Sequence, residues 1–446
     1  MKITVPSVQI NNEEGFSPEK DIFSRKEFGE RLANLIAQSD DELVIAIDAE
    51  WGEGKSTFIQ MWNGFVSHHR EPKIRTIYFD AFANDYQKDP FIALAAEVYE
   101  LLKDETQEKK KEFLSKAGAA AKSMARGAIK IAVRVGTGGI LGDSVVDDVG
   151  KDISELLAER VDEVLADRLK SSSTDKLALN NFRKYLEGFA KEHGGGQPIV
   201  FVIDELDRCR PDFALELIEQ IKHLFSVRGI TFLLVMNRKQ LEESIRSKYG
   251  IIDATKYLQK FVHLWLALPR KSDQNDDHGV KYVKYAMSAM CKEGEVLQNH
   301  EAIELIEELV KYLRPSFRDV ERMLSYFALI QNTAGNQSFL RSYQTMVAFM
   351  CYLKSTKHHL IEKISHQKID SATLLKEVGL DHIDGNSEST HIYDLTQSVI
   401  FDLANDEQRK KMIAAREIFP DDGFGRTSSH VMRKVCGWLS EINRQE

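Results

Sequence analysis

Cysteine is scarce: Cys209, Cys291, Cys351 and Cys436 are the four in 446 residues, far apart and with no CxxC pair. That excludes a disulfide framework or a cysteine zinc site and fits reduced thiols in a cytoplasmic protein. The thirteen histidines show no HExxH or other ligand spacing, so no metal is expected beyond the Mg2+ argued below. Long apolar runs are missing as well. Between residues 104 and 190 no uncharged stretch approaches the roughly 20 residues that span a bilayer, and no integral membrane segment is expected. The opening stretch MKITVPSVQINNEEGF has neither a long apolar core nor a cleavage pattern, so no secretion signal is expected. Nor is there an excess of positive charge: the formal charge of −9 argues against a surface broadly coated by nucleic acid and leaves room only for a local basic patch. Internal repeats and low-complexity tracts are absent.

What the chain has is 43% hydrophobic residues, ample for a core, and enough length for two or three domains. In residues 21–38 the spacing of Phe28, Leu32, Leu35 and Ile36 predicts one apolar helix face. An apolar run from Leu43 to Ile47 ends in Asp48, and a second runs from Ile74 to Phe79. Asp89 and Pro90 then open a helix in DPFIALAAEVYELLKD. Further apolar runs lie at Ile199–Ile203, at Ile230–Met236 and in FVHLWLALP, which ends at Pro269. Near-continuous apolar strands separated by helices predict a parallel sheet buried on both faces. Beyond Pro269 only helical periodicity is legible.

Between residues 104 and 190 the strand pattern stops. Lys122, Arg126, Lys130 and Arg134 fall four apart, a basic stripe on a helix without interleaved aromatics. Past the glycine-rich GTGGILG the acids Asp147, Asp148, Asp152, Glu155, Glu159, Asp162 and Glu163 take over. The simplest reading is a helical hairpin with complementary faces. Base stacking by nucleic acid is not indicated there, although contact with phosphates stays open. The expected organisation is therefore an α/β P-loop core in two pieces, 1–103 and 191–270, a helical insertion at 104–190, and a C-terminal helical lid or domain at 271–446.

Chemistry is concentrated in IAIDAEWGEGKSTF, Ile45 to Phe58. Strand, tight loop and helix follow one another, and Gly54-Lys55-Ser56 completes the tail of GxxxxGK(S/T), with Ala49 in place of the first glycine. Alanine suffices at a strand exit with negative φ, so Gly52 and Gly54 matter more. The loop expected to cradle phosphates comprises Ala49, Glu50, Trp51, Gly52, Glu53, Gly54, Lys55, Ser56 and Thr57. Lys55, expected to be exposed, would reach the outer phosphates, and Ser56 would ligate Mg2+. The second element is IVFVIDELDRC, where Asp204 follows an apolar strand and is itself followed by Glu205. Asp204 is the expected carboxylate partner of Mg2+ together with Ser56. Glu205 would polarise the attacking water, making Glu205, Asp204 and Lys55 the catalytic set. A strand-helix unit between the two motifs suggests the sheet order 5-1-4-3-2. The stretch NRKQ from Asn237 lacks the aspartate of a guanine-reading NKxD, which favours ATP over GTP.

These residues resemble the KAP P-loop NTPases, relatives of the AAA+ and STAND ATPases, over most of residues 21–330. AEWGEGKST is similar to the family's Walker A with its tryptophan, here Trp51; FVIDELDRCRP is similar to its extended Walker B, with Asp207, Arg208 and Cys209; KYLQKFVHLWLALP resembles its fifth-strand segment. In YFDAFANDYQKDPFIAL, Asp80 and Phe82 stand where the family has asparagine and tryptophan. The family often carries membrane-spanning insertions where residues 104–190 lie, and the charges here imply a soluble version. The resemblance also implies that Asn237, at the fourth strand tip, senses the γ-phosphate or water unless it is a turn residue. Arg318 resembles the sensor-2 arginine of a lid, otherwise a solvated helix residue. Arg208 and Lys260 are candidates to act across a subunit interface.

The function expected is an ATPase that drives lid movement or homo-oligomer assembly and so controls a partner. KAP-like proteins stand beside effectors in mobile and anti-phage defence loci, which implies a separate effector polypeptide. Two alternatives stay open: a nucleotide-stabilised scaffold that barely hydrolyses ATP, and a nucleic-acid-loading ATPase of the initiator type. Turnover separates the first, and DNA-stimulated turnover with a steep salt dependence the second.

Overall fold

A computed structural model describes the chain except residues 7–9, 12, 40, 88, 138–173, 271–276, 293–294, 296–298, 335–338, 384–389, 416–429 and 442–446, with backbone alone at 125–137, 390 and 440–441. Five strands form one sheet: β1 (Leu43–Asp48), β2 (Thr76–Asp80), β3 (Ile199–Asp204), β4 (Ile230–Met236) and β5 (Leu264–Ala267). They lie in the order β2-β3-β4-β1-β5 with every pairing parallel. Read from the other edge this is the expected 5-1-4-3-2. The register sets Asp48 beside Met236 and Asp80 beside Asp204, so the carboxyl ends of these strands form one rim.

Alternation along each strand divides the core in two. Ile45, Ile47, Val200, Val202, Leu233 and Val235 face α1 (Lys26–Ala37) and α2 (Lys55–Gly64), where Ile36, Phe58 and Trp62 are fully buried. The indole N–H of Trp62 donates to Gly29 O at 3.0 Å, tying α2 to α1. Ala46, Phe79, Phe201, Ile203, Phe232 and Leu234 face the opposite layer. That layer includes α4 (Pro90–Glu100) and, beyond β3, α7 (Pro211–Gln220). Asp89 caps α4 through its carboxylate and Phe91 N at 2.9 Å, as the sequence predicts.

Three expectations need correction. Leu35 is exposed: Gly29, Leu32, Ala33 and Ile36 form the buried face of α1 instead. The second strand starts at Thr76, because Ile74 is spent on a backbone hydrogen bond to Val66 O, 2.9 Å, at the turn leading in. Finally, β5 is partly exposed along its length, as an edge strand with one neighbour.

In the 104–190 region the basic stripe does fall on a helix, α5 (Gln107–Thr137), and a further helix, α6, covers residues 174–193. Phe113 and Ala117 of α5 and Phe182, Leu186 and Phe189 of α6 join the same apolar cluster as β2, β3 and α4. The root of the insertion is thus built into the core. The acidic stretch that would complete the hairpin lies outside the described residues, as do the side chains of Arg126, Lys130 and Arg134.

After β5 the described chain is helical. Its second core gathers α10 (His278–Met290), α11 (His300–Leu313), α12 (Phe317–Ala334) and α13 (Arg341–Thr356), with smaller helices around them. Met1 is buried in that cluster, so the first residues pack with the helical region although they precede the sheet in sequence. No described helix is long and apolar enough to cross a membrane.

Candidate nucleotide-binding site

The loop between β1 and α2 turns on its glycines. Gly52 has φ +80 and Gly54 φ +74, both in the left-handed region where a side chain is strained. Ala49 is not among the positive-φ residues, which is why alanine serves there. Gly54 precedes α2 and offers no side chain to cap it, so the first N–H groups of the helix remain available to an anion. Lys55 is half-buried, a correction to its expected exposure. Its Nζ donates to Ala49 O at 2.8 Å and Glu50 O at 3.0 Å. Burial lowers the Lys55 ammonium from its ordinary range, while Asp207 and Asp204 oppose that shift.

Asp204 ends β3 fully buried, on the same sheet face as α2. It accepts hydrogen bonds from Tyr78 OH at 3.0 Å and from Glu205 N at 2.8 Å, and the Ser56 hydroxyl lies near enough to favour its charged form. Burial raises its carboxyl above the usual range despite these donors. The two oxygen-bearing side chains expected to share Mg2+ are therefore neighbours, a pair of oxygen donors suited to a hard cation. Tyr78 was not identified from sequence. Although the residue as a whole is exposed, desolvation around its hydroxyl and the neighbouring Asp204 push its phenol well above the ordinary range, keeping it a hydrogen-bond donor.

Glu205 sits in the left-handed region, φ 58 and ψ 25, an uncommon place for a non-glycine residue. A short 3-10 turn, Leu206–Arg208, follows it. Arg208 Nη1 pairs with Glu205 Oε1 at 2.8 Å within the same chain. Asp207 is buried, and one of its carboxylate oxygens accepts from the indole N–H of Trp51, which ties the P-loop to the turn after β3. Nothing in the sequence announces this bond, since its partners lie 156 residues apart.

Other expected residues are engaged locally. Asn237 caps α8 (Arg238–Tyr249), its Oδ1 accepting from Gln240 N at 3.3 Å. Glu50 pairs with Lys239 at 3.0 Å on the surface. The Glu53 carboxylate is buried 3.1 Å from Arg270, with burial raising its pKa more than the nearby cations lower it. The Glu53 carbonyl accepts from the buried Arg25 Nη1 at 3.0 Å, and burial brings that guanidinium down to about 10. Lys260 follows α9 (Ala254–Leu258) and lies over the Tyr257 ring, 5.5 Å from its centroid. Asp80 caps a one-turn helix, α3 (Ala81–Asn84), and Phe82 is exposed.

The helical region closes over the loop. Ser316 caps α12, accepting from Asp319 N at 3.2 Å. That places the start of α12 on Gly52: an added Cβ there would lie 2.7 Å from Arg318 Cβ and 3.0 Å from Arg318 N. Arg318 is therefore carried directly above the P-loop with its side chain exposed. Phe317 stacks on Phe23, ring centroids 4.5 Å apart, and joins α12 to the segment before α1. Beside the loop a cleft of about 350 Å³ is lined by Gly52, Gly54, Thr57, Phe23, Tyr282 and Tyr285, among others. Its aromatic wall was missed from sequence, where KYVKYAMSAM reads only as another apolar helix.

Gly52→Ala should combine a left-handed alanine, about 1–2 kcal/mol, with a collision against α12. The expected result is a lower melting temperature and faster proteolysis of the helical region. A variant as stable and protease-resistant as wild type would mean that α12 does not rest on the loop.

A family model described as the KAP family P-loop domain matches residues 25–334. The chain has no match among curated proteins. Among solved structures it is similar to the ORC2 protein of Aeropyrum pernix with ADPNP and ADP, at 12% identity over 97% of this chain and 98% of that one, TM-score 0.37. The ADP form of the same protein matches at 12% identity over 97% of each chain, TM-score 0.36.

Proposed function

The chain belongs to the KAP family of P-loop proteins, and from that premise we propose that it binds ATP with Mg2+ and hydrolyses it. One observation carries the reading: the Ser56 hydroxyl and the buried Asp204 carboxylate are neighbours at the mouth of a loop whose helix N-terminus is uncapped. Ser56 and Asp204 would hold Mg2+, which when bound neutralises charge on the phosphates. The α2 N-terminus and Lys55 bind the phosphate chain, and the aromatic cleft takes the base. Glu205 accepts the proton of the attacking water.

Contact between α12 and Gly52 supports the second half of the proposal: occupancy of the loop moves the lid, and lid movement or homo-oligomer assembly controls a separate effector. Anti-phage defence in bacteria is the setting that the family resemblance implies. Direct measurement of phosphate release is the test. ATP turnover that requires Mg2+ and is not inhibited by excess GTP is the expected result. Tight ATP binding without turnover would favour the nucleotide-stabilised scaffold. Strong stimulation by DNA, lost steeply with salt, would favour the loading ATPase.

A further inference from the structure

The 3-10 turn after β3 makes two bonds of different character. Asp207, buried, fastens the turn to the P-loop through Trp51. Arg208, on the same turn, has a side chain about one-third exposed (34%) and makes an ion pair with Glu205. One bond fixes where the turn stands relative to the loop. The other holds a long cation that can be redirected without unfolding anything.

The electrostatic neighbourhood shows where that cation lies. Arg208 is the largest charge acting on Glu205, and Asp204, Asp80 and Asp207, which act on it as well, are all acidic. Arg208 also acts on the Lys55 ammonium, with Asp207 and Asp204. It is therefore paired with the carboxylate of Glu205 and within electrostatic reach of the lysine assigned to the outer phosphates. An ion pair between partly exposed groups is weak. A guanidinium, by contrast, presents a planar fork of donors that matches phosphate oxygens.

We infer that Arg208 is the residue by which this site distinguishes a nucleoside triphosphate from a diphosphate: Glu205 holds it until a γ-phosphate takes it over. The exchange leaves the Glu205 carboxylate without its cation, so the same contact that detects the γ-phosphate frees the base. Arg208 is a γ-phosphate contact in this role, acting within its own chain. The inference rests on reading the loop as a nucleotide site, and it predicts a coupling that this reading alone does not.

Binding of a non-hydrolysable ATP analogue and of ADP, each with Mg2+, is measured for wild type, Arg208→Ala, Arg208→Lys, Glu205→Gln and the Glu205→Gln/Arg208→Ala double variant. Arg208→Ala should lose roughly tenfold or more in affinity for the analogue, as for one charge-assisted hydrogen bond, and nothing for ADP. Arg208→Lys should recover part of the loss. Glu205→Gln, which no longer retains Arg208 by charge, should bind the analogue more tightly than wild type and ADP equally. That gain should vanish in the double variant, since it acts through Arg208. Equal losses for both nucleotides in Arg208→Ala, or a Glu205→Gln gain that persists without Arg208, would overturn the assignment. Wild-type protein that binds neither nucleotide would remove the nucleotide site itself, and this inference with it.

Discussion

Lys55→Ala should abolish tight ATP binding and leave the protein folded. The side chain is half-buried, but its ammonium contacts are two loop carbonyls, Ala49 O and Glu50 O, and not the apolar core. Those carbonyls hold the lysine over the loop. A phosphate chain would replace them with charge-assisted bonds, each worth about 1.5–3 kcal/mol. Losing two such bonds weakens binding on the order of a hundredfold or more. Calorimetric titration with ATP and Mg2+ reads the binding, and an unliganded melt reads the fold. Wild-type affinity in the variant would dismiss the P-loop assignment. A large fall in the unliganded melting temperature would instead mean that the lysine supports the loop structurally.

Much of the core was legible because its strands are buried on both sides. Val200 to Ile203 and Leu233 to Met236 have little exposed surface, so the sequence there is continuously apolar. The position of Ser56 just inside α2 and of Asp204 at the end of β3 then brought the two motifs together without any contact being known. Where burial was one-sided, reading was less sure. Leu35 has the right spacing for the α1 face but points to solvent, and β5 has only one strand neighbour. The apparent exposure of Lys55 failed because a polar side chain can be enclosed by the loop that carries it.

Least legible were contacts between distant segments. Trp51 could be matched to a motif, but its bond to Asp207 depends on how two loops approach across the sheet rim. Tyr78 reads as an ordinary strand residue, and only the pairing of β2 with β3 shows that its hydroxyl reaches Asp204. The aromatic cleft is assembled from a residue before α1 and from α10, which lie more than half the chain apart. Periodicity places such side chains on a buried or exposed face. It does not say what they meet.

Glu205→Gln should keep nucleotide bound and slow hydrolysis by about 10²–10⁴, the range for a positioned general base. The amide keeps the shape of the side chain but cannot accept the proton of the attacking water. Its backbone cost is unchanged, because glutamine inherits the same left-handed conformation at φ 58. Structural loss should therefore be small, and the weakened pairing to Arg208 falls on a partly exposed contact. A single-turnover assay separates the effect on chemistry from any effect on binding. The expected outcome is full occupancy with a slow phosphate-release phase. Unchanged turnover would remove Glu205 from the reaction and make Asp207 the next candidate. Asp207 is buried and already bonded to Trp51, so Asp207→Asn should then slow turnover and also disturb the loop. The fluorescence of Trp51 would report that second effect, and Glu205→Gln should leave it unaltered in the nucleotide-free protein.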